Sequence, residues 1–231
     1  MTSRTTEEVK AANIAEMGEQ LGEVYSALWQ ELTILHFDWH EYTELFGTKA
    51  ARIDLMNQSA PHFFRLVQDR LWETTLLNLA RLTDPVVSPG KDERKNLTIK
   101  ALSDLIEDTK LKDQVTGLIE NVVKLTEFAR DWRNRHIGHR DLKLALQQPT
   151  TPLAEGSRLD VKNALAAIAT TLNALEGHYH HSYTAYDYVS PIGGAVSLLY
   201  VLGIGGRARN DREKRLEAGE QTPEDLVIYD I

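Results

Sequence analysis

The stretch LIENVVKLTEFARDWRNRHIGHRDLK, Leu118 to Lys143, carries its apolar residues with a helical period. Leu118, Val122, Leu125, Ala129 and Trp132 recur at alternating steps of four and three, the spacing of one face of an α-helix. The same count continues to His136 and then His139, so an apolar seam runs directly into two imidazoles. A polar group in an apolar contact surface costs free energy unless it is hydrogen-bonded, which makes those two positions the first candidates for function. At about 100° per residue, Arg133, His136, His139, Arg135 and Arg140 fall within an arc of roughly 160° that also holds Trp132. Imidazoles give and take protons near neutral pH, and guanidinium groups grip phosphate with paired donors. Together they suffice in principle to cut a phosphodiester without a metal. A solvated helix end, with cations at the negative pole of the helix dipole, accounts for the same residues, and spacing alone does not choose.

Outward from this stretch the periodicity stays helical and no alternating strand pattern stands out. A first long helix is expected from about Glu7 to Phe46, with Leu21, Val24, Leu28, Leu32 and Leu35 on its buried face and Gly47 ending it. Thr48 is a candidate cap for a short helix through Met56, and Ser59 with Pro61 starts another that reaches Leu82. Asp84 to Lys95, with two prolines, a glycine and six charges, is a surface loop and the best candidate for disorder. Thr98 opens a short helix to about Asp108, and the motif helix is expected from about Lys110 to Arg140. After a loop from Gln147 to Ser157, a helix runs to roughly Tyr183. A break at Ser190 and Pro191 precedes a last helix that continues as the charged run Arg207 to Ala218. The expected division is a helical domain over 1–206 and a charged extension and tail over 207–231, the tail having an apolar centre at Leu226 to Tyr229.

Composition excludes several classes. With 34 acidic against 26 basic side chains the net charge is −8, which argues against a protein that coats nucleic acid through a broad positive surface. A local basic site remains, because Arg130, Arg133, Arg135, Arg140 and Lys143 outnumber Asp131 and Asp141 by three. The chain has no cysteine, so disulfides, thiolate zinc sites and a cysteine nucleophile are excluded. The opening MTSRTTEEVKAAN lacks the apolar run of a secretory signal. Ile192 to Gly206, the most apolar segment, is too short for a bilayer and holds five glycines. A cytoplasmic protein without a membrane partner is expected.

Other candidates carry less. His178 and His181 in HYHHS are three apart and would share a helical face, but two imidazoles without a nearby carboxylate or thiolate rarely hold a metal, and no metal or other cofactor is expected. His36 and His40 form an i, i+4 pair without the H-E-x-x-H pattern, and packing is the expected role. Gly203, Gly205 and Gly206 lack both the preceding strand and the following Lys-Ser/Thr of a phosphate loop. Tyr183, Tyr186 and Tyr188 suit base stacking less well than closure of a helical bundle.

Arg133, Asn134 and His139 match the R-N-x4-H form of the R-x4-6-H motif of HEPN domains. The longer run RNRHIGHRDL resembles the R-[DN]-K-x-x-A-H-x-D-L run of the abortive-infection, Abi-U-type branch. The blocks Leu28 to Gly47, Arg52 to Pro85 and Asn96 to Leu102 also look like that branch and come in its order, so the resemblance covers roughly Leu21 to Tyr200. Gly138 departs where the branch usually has Ala, and His136 where it usually has an aliphatic or aromatic residue. Since Gly costs about 1 kcal/mol in a helix interior, a bend or fray is expected at the active histidine.

The resemblance implies an all-α fold, a single HEPN-like bundle with long helices. It also implies a homodimer whose motif helices face each other, and a metal-independent endoribonuclease with a toxin-like, anti-phage role. His139 becomes the principal catalytic residue, Arg133 the group that stabilises the scissile phosphate and Asn134 a polar helper. Arg130, Arg135, His136, Arg140 and Lys143 are expected to bind RNA phosphate. RNA is the expected substrate, and an inhibitory, antitoxin-like protein a further partner. The alternative is a HEPN-like dimerisation or regulatory module without catalysis, favoured by the acidic balance and Gly138.

Overall fold

A computed structural model of the chain describes residues 5–88, 90, 94–188 and 191–227. The fold is all-α, built on long helices, and among the described residues the only β-pairing is one isolated antiparallel bridge, Val87 with Lys95. In chain order the helices are α1 (Thr6–Met17), α2 (Glu19–Phe46), α3 (Ala50–Ser59), α4 (Pro61–Leu82), α5 (Leu102–Leu105), α6 (Thr109–Leu125), α7 (Glu127–Trp132), α8 (Leu142–Ala145), α9 (Arg158–Tyr179) and α10 (Ala195–Ala218). None of the described helices is long and apolar enough to cross a membrane.

Contacts divide the chain into two units, one of residues 1–38 and 72–189, the other of 39–71 and 190–231. The first buries Leu28, Leu32 and Leu35 of α2, Leu76 and Leu79 of α4, and Val161, Leu165, Ile168 and Leu172 of α9. Within it α6 packs along α9, and Leu111, Val115, Ile119 and Val122 form the buried face of α6. In the second unit α10 packs on α3, and the core is Leu45, Met56, Phe64, Ala195 and Leu199. The α10 amino end is held by Glu41, whose Oε2 accepts from the Ala195 backbone N–H at 2.6 Å; a Cβ on Gly194 would collide with that carboxylate.

Where one long first helix is expected, there are two. Gly18 takes φ +82°, a left-handed conformation that ends α1, and the chain turns back on itself. Gly22 then lets α1 cross α2 closely, since a Cβ there would stand 2.6 Å from the Ile14 Cα. Asn13 Nδ2 donates to Ser26 Oγ at 2.9 Å across this crossing. Thr48 is not the cap of α3; Lys49 holds that position without a side-chain bond, and Thr48 Oγ1 instead accepts from Arg52. The expected break at Ser190 and the end of the tail's apolar centre, residues 228–229, lie outside the described residues, as do 89 and 91–93 of the first loop. α10 continues without interruption through Arg207 to Ala218, and Asp225 of the tail returns to accept from the Arg215 guanidinium.

Candidate active site at the end of α7

The motif segment is three pieces rather than one continuous helix. α6 stops at Leu125, and Thr126 turns its hydroxyl onto the Val122 carbonyl at 2.9 Å. α7 resumes for six residues, and Arg133–Ile137 then widen into a π-helical turn closed by the Gly138 N–H on the Arg133 carbonyl at 2.8 Å. Such single turns insert a residue into the helical register and re-aim the side chains beyond it. The helix therefore ends before His139, and the helical arc expected to gather His139 and Arg140 with Arg133 does not extend to them. The bend expected from Gly138 is present. A Cβ at Gly138 would lie 2.9 Å from the Arg133 carbonyl oxygen, so the absent side chain is what fits the turn.

Two of the arginines are committed to the scaffold. Arg130 donates to Asp84 Oδ1 at 3.0 Å, to Thr83 Oγ1 at 2.9 Å and to the carbonyls of Ala80 and Thr83, closing the carboxyl end of α4. Arg135 reaches the carbonyls of Thr151 and Pro152 and the Asp131 carboxylate, pinning the loop before α9. Trp132 and Asp131 hold the same loop through the Ala154 carbonyl and N–H, at 2.9 and 2.8 Å.

The remaining candidates face outward. Arg133, 38 % exposed, donates from Nη1 to Asn134 Oδ1 at 3.0 Å and holds Nη2 3.6 Å from Asp84 Oδ2. Asn134, His139, Arg140 and Lys143 are exposed, and His139 and Lys143 have no side-chain partner among the described residues. His136 lies half-buried between three groups: Glu73 Oε1 at 3.4 Å from Nε2, Arg140 Nη1 at 3.3 Å from Nδ1, and the Trp132 ring edge-on at 5.3 Å.

Sequence spacing missed Asp84, Glu73 and Lys100, because each reaches the motif from a distant segment. The two carboxylates partly offset the local positive excess. Lys100 lies near Arg130 and Asp84; burial, and secondly the Arg130 charge, push its ammonium pKa down against the pull of Asp84. The apolar seam is largely consumed within the unit. Val122 and Ala129 are fully buried, while Leu118, Leu125 and Trp132 are half-buried. In HYHHS the expected shared face is absent, because α9 ends at Tyr179 and His181 takes φ +51°. Among the described residues no group of three or more His, Asp or Glu is arranged to hold a metal.

The arrangement presents an exposed imidazole, a half-exposed guanidinium oriented by a neighbouring amide, and two further cations, side by side in sequence around a π turn. Residues 18–191 match the family model of the HEPN domain AbiU2. No curated protein and no solved structure matches the chain.

Proposed function

Because the chain belongs to the AbiU2 family of HEPN domains, within a superfamily of toxins and nucleases, we propose that it is a metal-independent endoribonuclease. The observation that carries this reading is Arg133 and Asn134 on the π turn, with Arg133 held by Asn134 at 3.0 Å, and exposed His139 two residues beyond its end. His139, exposed and without a partner among the described residues, is free to exchange a proton with the ribose 2′-hydroxyl. That hydroxyl attacks the adjacent phosphorus, the bond to the 5′-oxygen of the next nucleotide breaks, and a 2′,3′-cyclic phosphate and a 5′-hydroxyl remain. Arg133 stabilises the extra negative charge on the phosphoryl oxygens, and Asn134 fixes the guanidinium plane. Arg140, Lys143 and His136 steady the neighbouring phosphates, whereas Arg130 and Arg135 serve the site through the scaffold.

In a homodimer two such sets would meet across the motif segments, giving one site a base and an acid from different copies. The setting is a toxin-like role in abortive defence against phage, held in check by an inhibitory protein. A second reading, a HEPN-like module without catalysis, is favoured by Asp84 and Glu73, which place carboxylates beside Arg133 and His136. Incubating the protein with mixed single-stranded RNA and analysing the termini distinguishes the two. The nuclease leaves cyclic phosphates in a reaction that depends on Arg133 and His139; the module leaves the RNA intact.

A further inference from the structure

On the first unit, the crossing of α1 over α2 leaves a hollow of about 340 Å³ that α9 and the loop after it complete. Its polar lining is Asn13, Trp29, Glu176, His180, Ser182 and Thr184. A smaller hollow of about 90 Å³ shares Asn13 and Trp29 with it. None of these residues belongs to the motif segment.

The Glu176 carboxylate is held from both sides. Oε1 accepts from the Ser182 hydroxyl at 2.7 Å, and Oε2 accepts from the buried Tyr25 hydroxyl. Burial, with the bond to Glu176 second, pushes the Tyr25 pKa well up, so this hydroxyl remains a donor at all ordinary pH. Both carboxylate oxygens keep lone pairs for another donor. Trp29 spends its indole N–H on Thr184 Oγ1 at 3.3 Å, leaving the ring as an apolar wall. Thr184 is itself fixed by paired bonds with Asn173, at 2.9 and 3.0 Å. Asn13 uses Nδ2 on Ser26.

His180 closes the hollow from the end of α9. Its backbone N–H donates to the Glu176 carbonyl at 2.9 Å, while its Nε2 is buried and has no hydrogen-bond partner among the described residues. The next residue, His181, sits at φ +51°, a conformation that L-residues with side chains enter at a cost.

The donors around this hollow are largely spent and the acceptors are not. Free lone pairs remain on the Glu176 carboxylate and the Ser182 hydroxyl. We infer that the hollow binds a small organic cation rich in N–H donors, with a guanidinium head the best-matched group, seated between the Glu176 carboxylate and the Trp29 ring. Guanidinium suits it because its plane carries donors at the edge and stacks on an aromatic face. Binding there does not depend on RNA cleavage.

The test titrates the full chain with agmatine and, as a neutral control that keeps a planar N–H donor head but neither positive charge, with butylurea, following tryptophan fluorescence and heat. Agmatine is expected to saturate at millimolar concentration or below, and butylurea to bind at least about tenfold more weakly. Glu176→Gln and Trp29→Leu should each weaken agmatine by about tenfold or more while the far-ultraviolet dichroism stays that of the parent. Should Glu176→Gln fail to fold through loss of its bond to Tyr25, Trp29→Leu decides, because it leaves the carboxylate network in place. No agmatine binding by the parent, equal binding of butylurea, or undiminished binding by folded Trp29→Leu overturns the inference.

Discussion

The backbone N–H of Gly138 donates to the carbonyl of Arg133 at 2.8 Å, five residues back along the chain rather than four. This bond widens the last turn of the motif segment, ends the helix before His139 and leaves Arg133 and Asn134 on the turn itself. The glycine is part of the geometry, since a Cβ would press on the same carbonyl from 2.9 Å.

Gly138→Ala should therefore behave opposite to a helix-interior exchange, where Ala stabilises by about 1 kcal/mol. Crowding against the Arg133 carbonyl should instead lower stability by about 1 kcal/mol or more. Urea unfolding measures it, and a clear gain in midpoint would mean that the turn is ordinary α-helix.

Arg130 and Arg140 should separate cleanly. Arg130→Ala strands the Thr83 carbonyl and takes from the Asp84 carboxylate its 3.0 Å partner, at a cost of about 2–3 kcal/mol. Exposed Arg140→Ala should stay within about 0.5 kcal/mol. Any loss of activity in the first variant then tracks unfolding, and in the second it does not; equal stability of the two would contradict the scaffold role of Arg130.

Legibility in the sequence differs from feature to feature. Helix identity was legible wherever apolar residues kept their period, as in Leu28, Leu32 and Leu35 of α2 or Leu165, Ile168 and Leu172 of α9, all buried. Pro61 did mark the start of α4, and Ser157 with Asp160 forms a capping box where the next helix was expected to begin. Breaks inside periodic runs were not legible. Gly18 and Thr126 are tolerated in helices, and only tertiary contacts, the Ile14 backbone at Gly22 and the Thr83 hydroxyl 3.3 Å from Thr126, make the interruption favourable. At the site, the spacing named Arg133 and His139 and the family resemblance added Asn134, but neither named Asp84 or Glu73, since the contacts those carboxylates make join separate segments.

His36 gives a pH signature. Burial lowers its pKa below the ordinary 6.5, against the weaker opposing pull of Asp187, whose Oδ1 lies 3.6 Å from Nδ1. The unfolded chain thus binds this proton more readily than the folded one. The contribution of neutral His36 is complete above about pH 6.5 and is lost as pH falls from there through the lower folded value. The urea midpoint should drop between pH 7.5 and 5.5 by more in the parent than in His36→Phe; equal drops would contradict it.

Charge should act locally. Arg133→Ala should remove most RNA binding or turnover. Arg209→Ala should change little, because Arg209 serves the Gln58 carbonyl at 3.2 Å, away from the motif in sequence. With few free cations at the site, log binding should fall with log salt at a slope of only about −2 to −3. A steep slope, or a loss confined to Arg209→Ala, would relocate the site.

The most direct measurement is cleavage of end-labelled single-stranded RNA by the parent and His139→Ala, with product termini identified. Because His139 is exposed and holds nothing in place, the variant should keep the parent's melting temperature and cut about 100-fold more slowly or worse. Parent products should end in 2′,3′-cyclic phosphate, with or without EDTA. Undiminished cutting by His139→Ala, or products that carry 3′-hydroxyl ends and vanish with EDTA, would contradict the account.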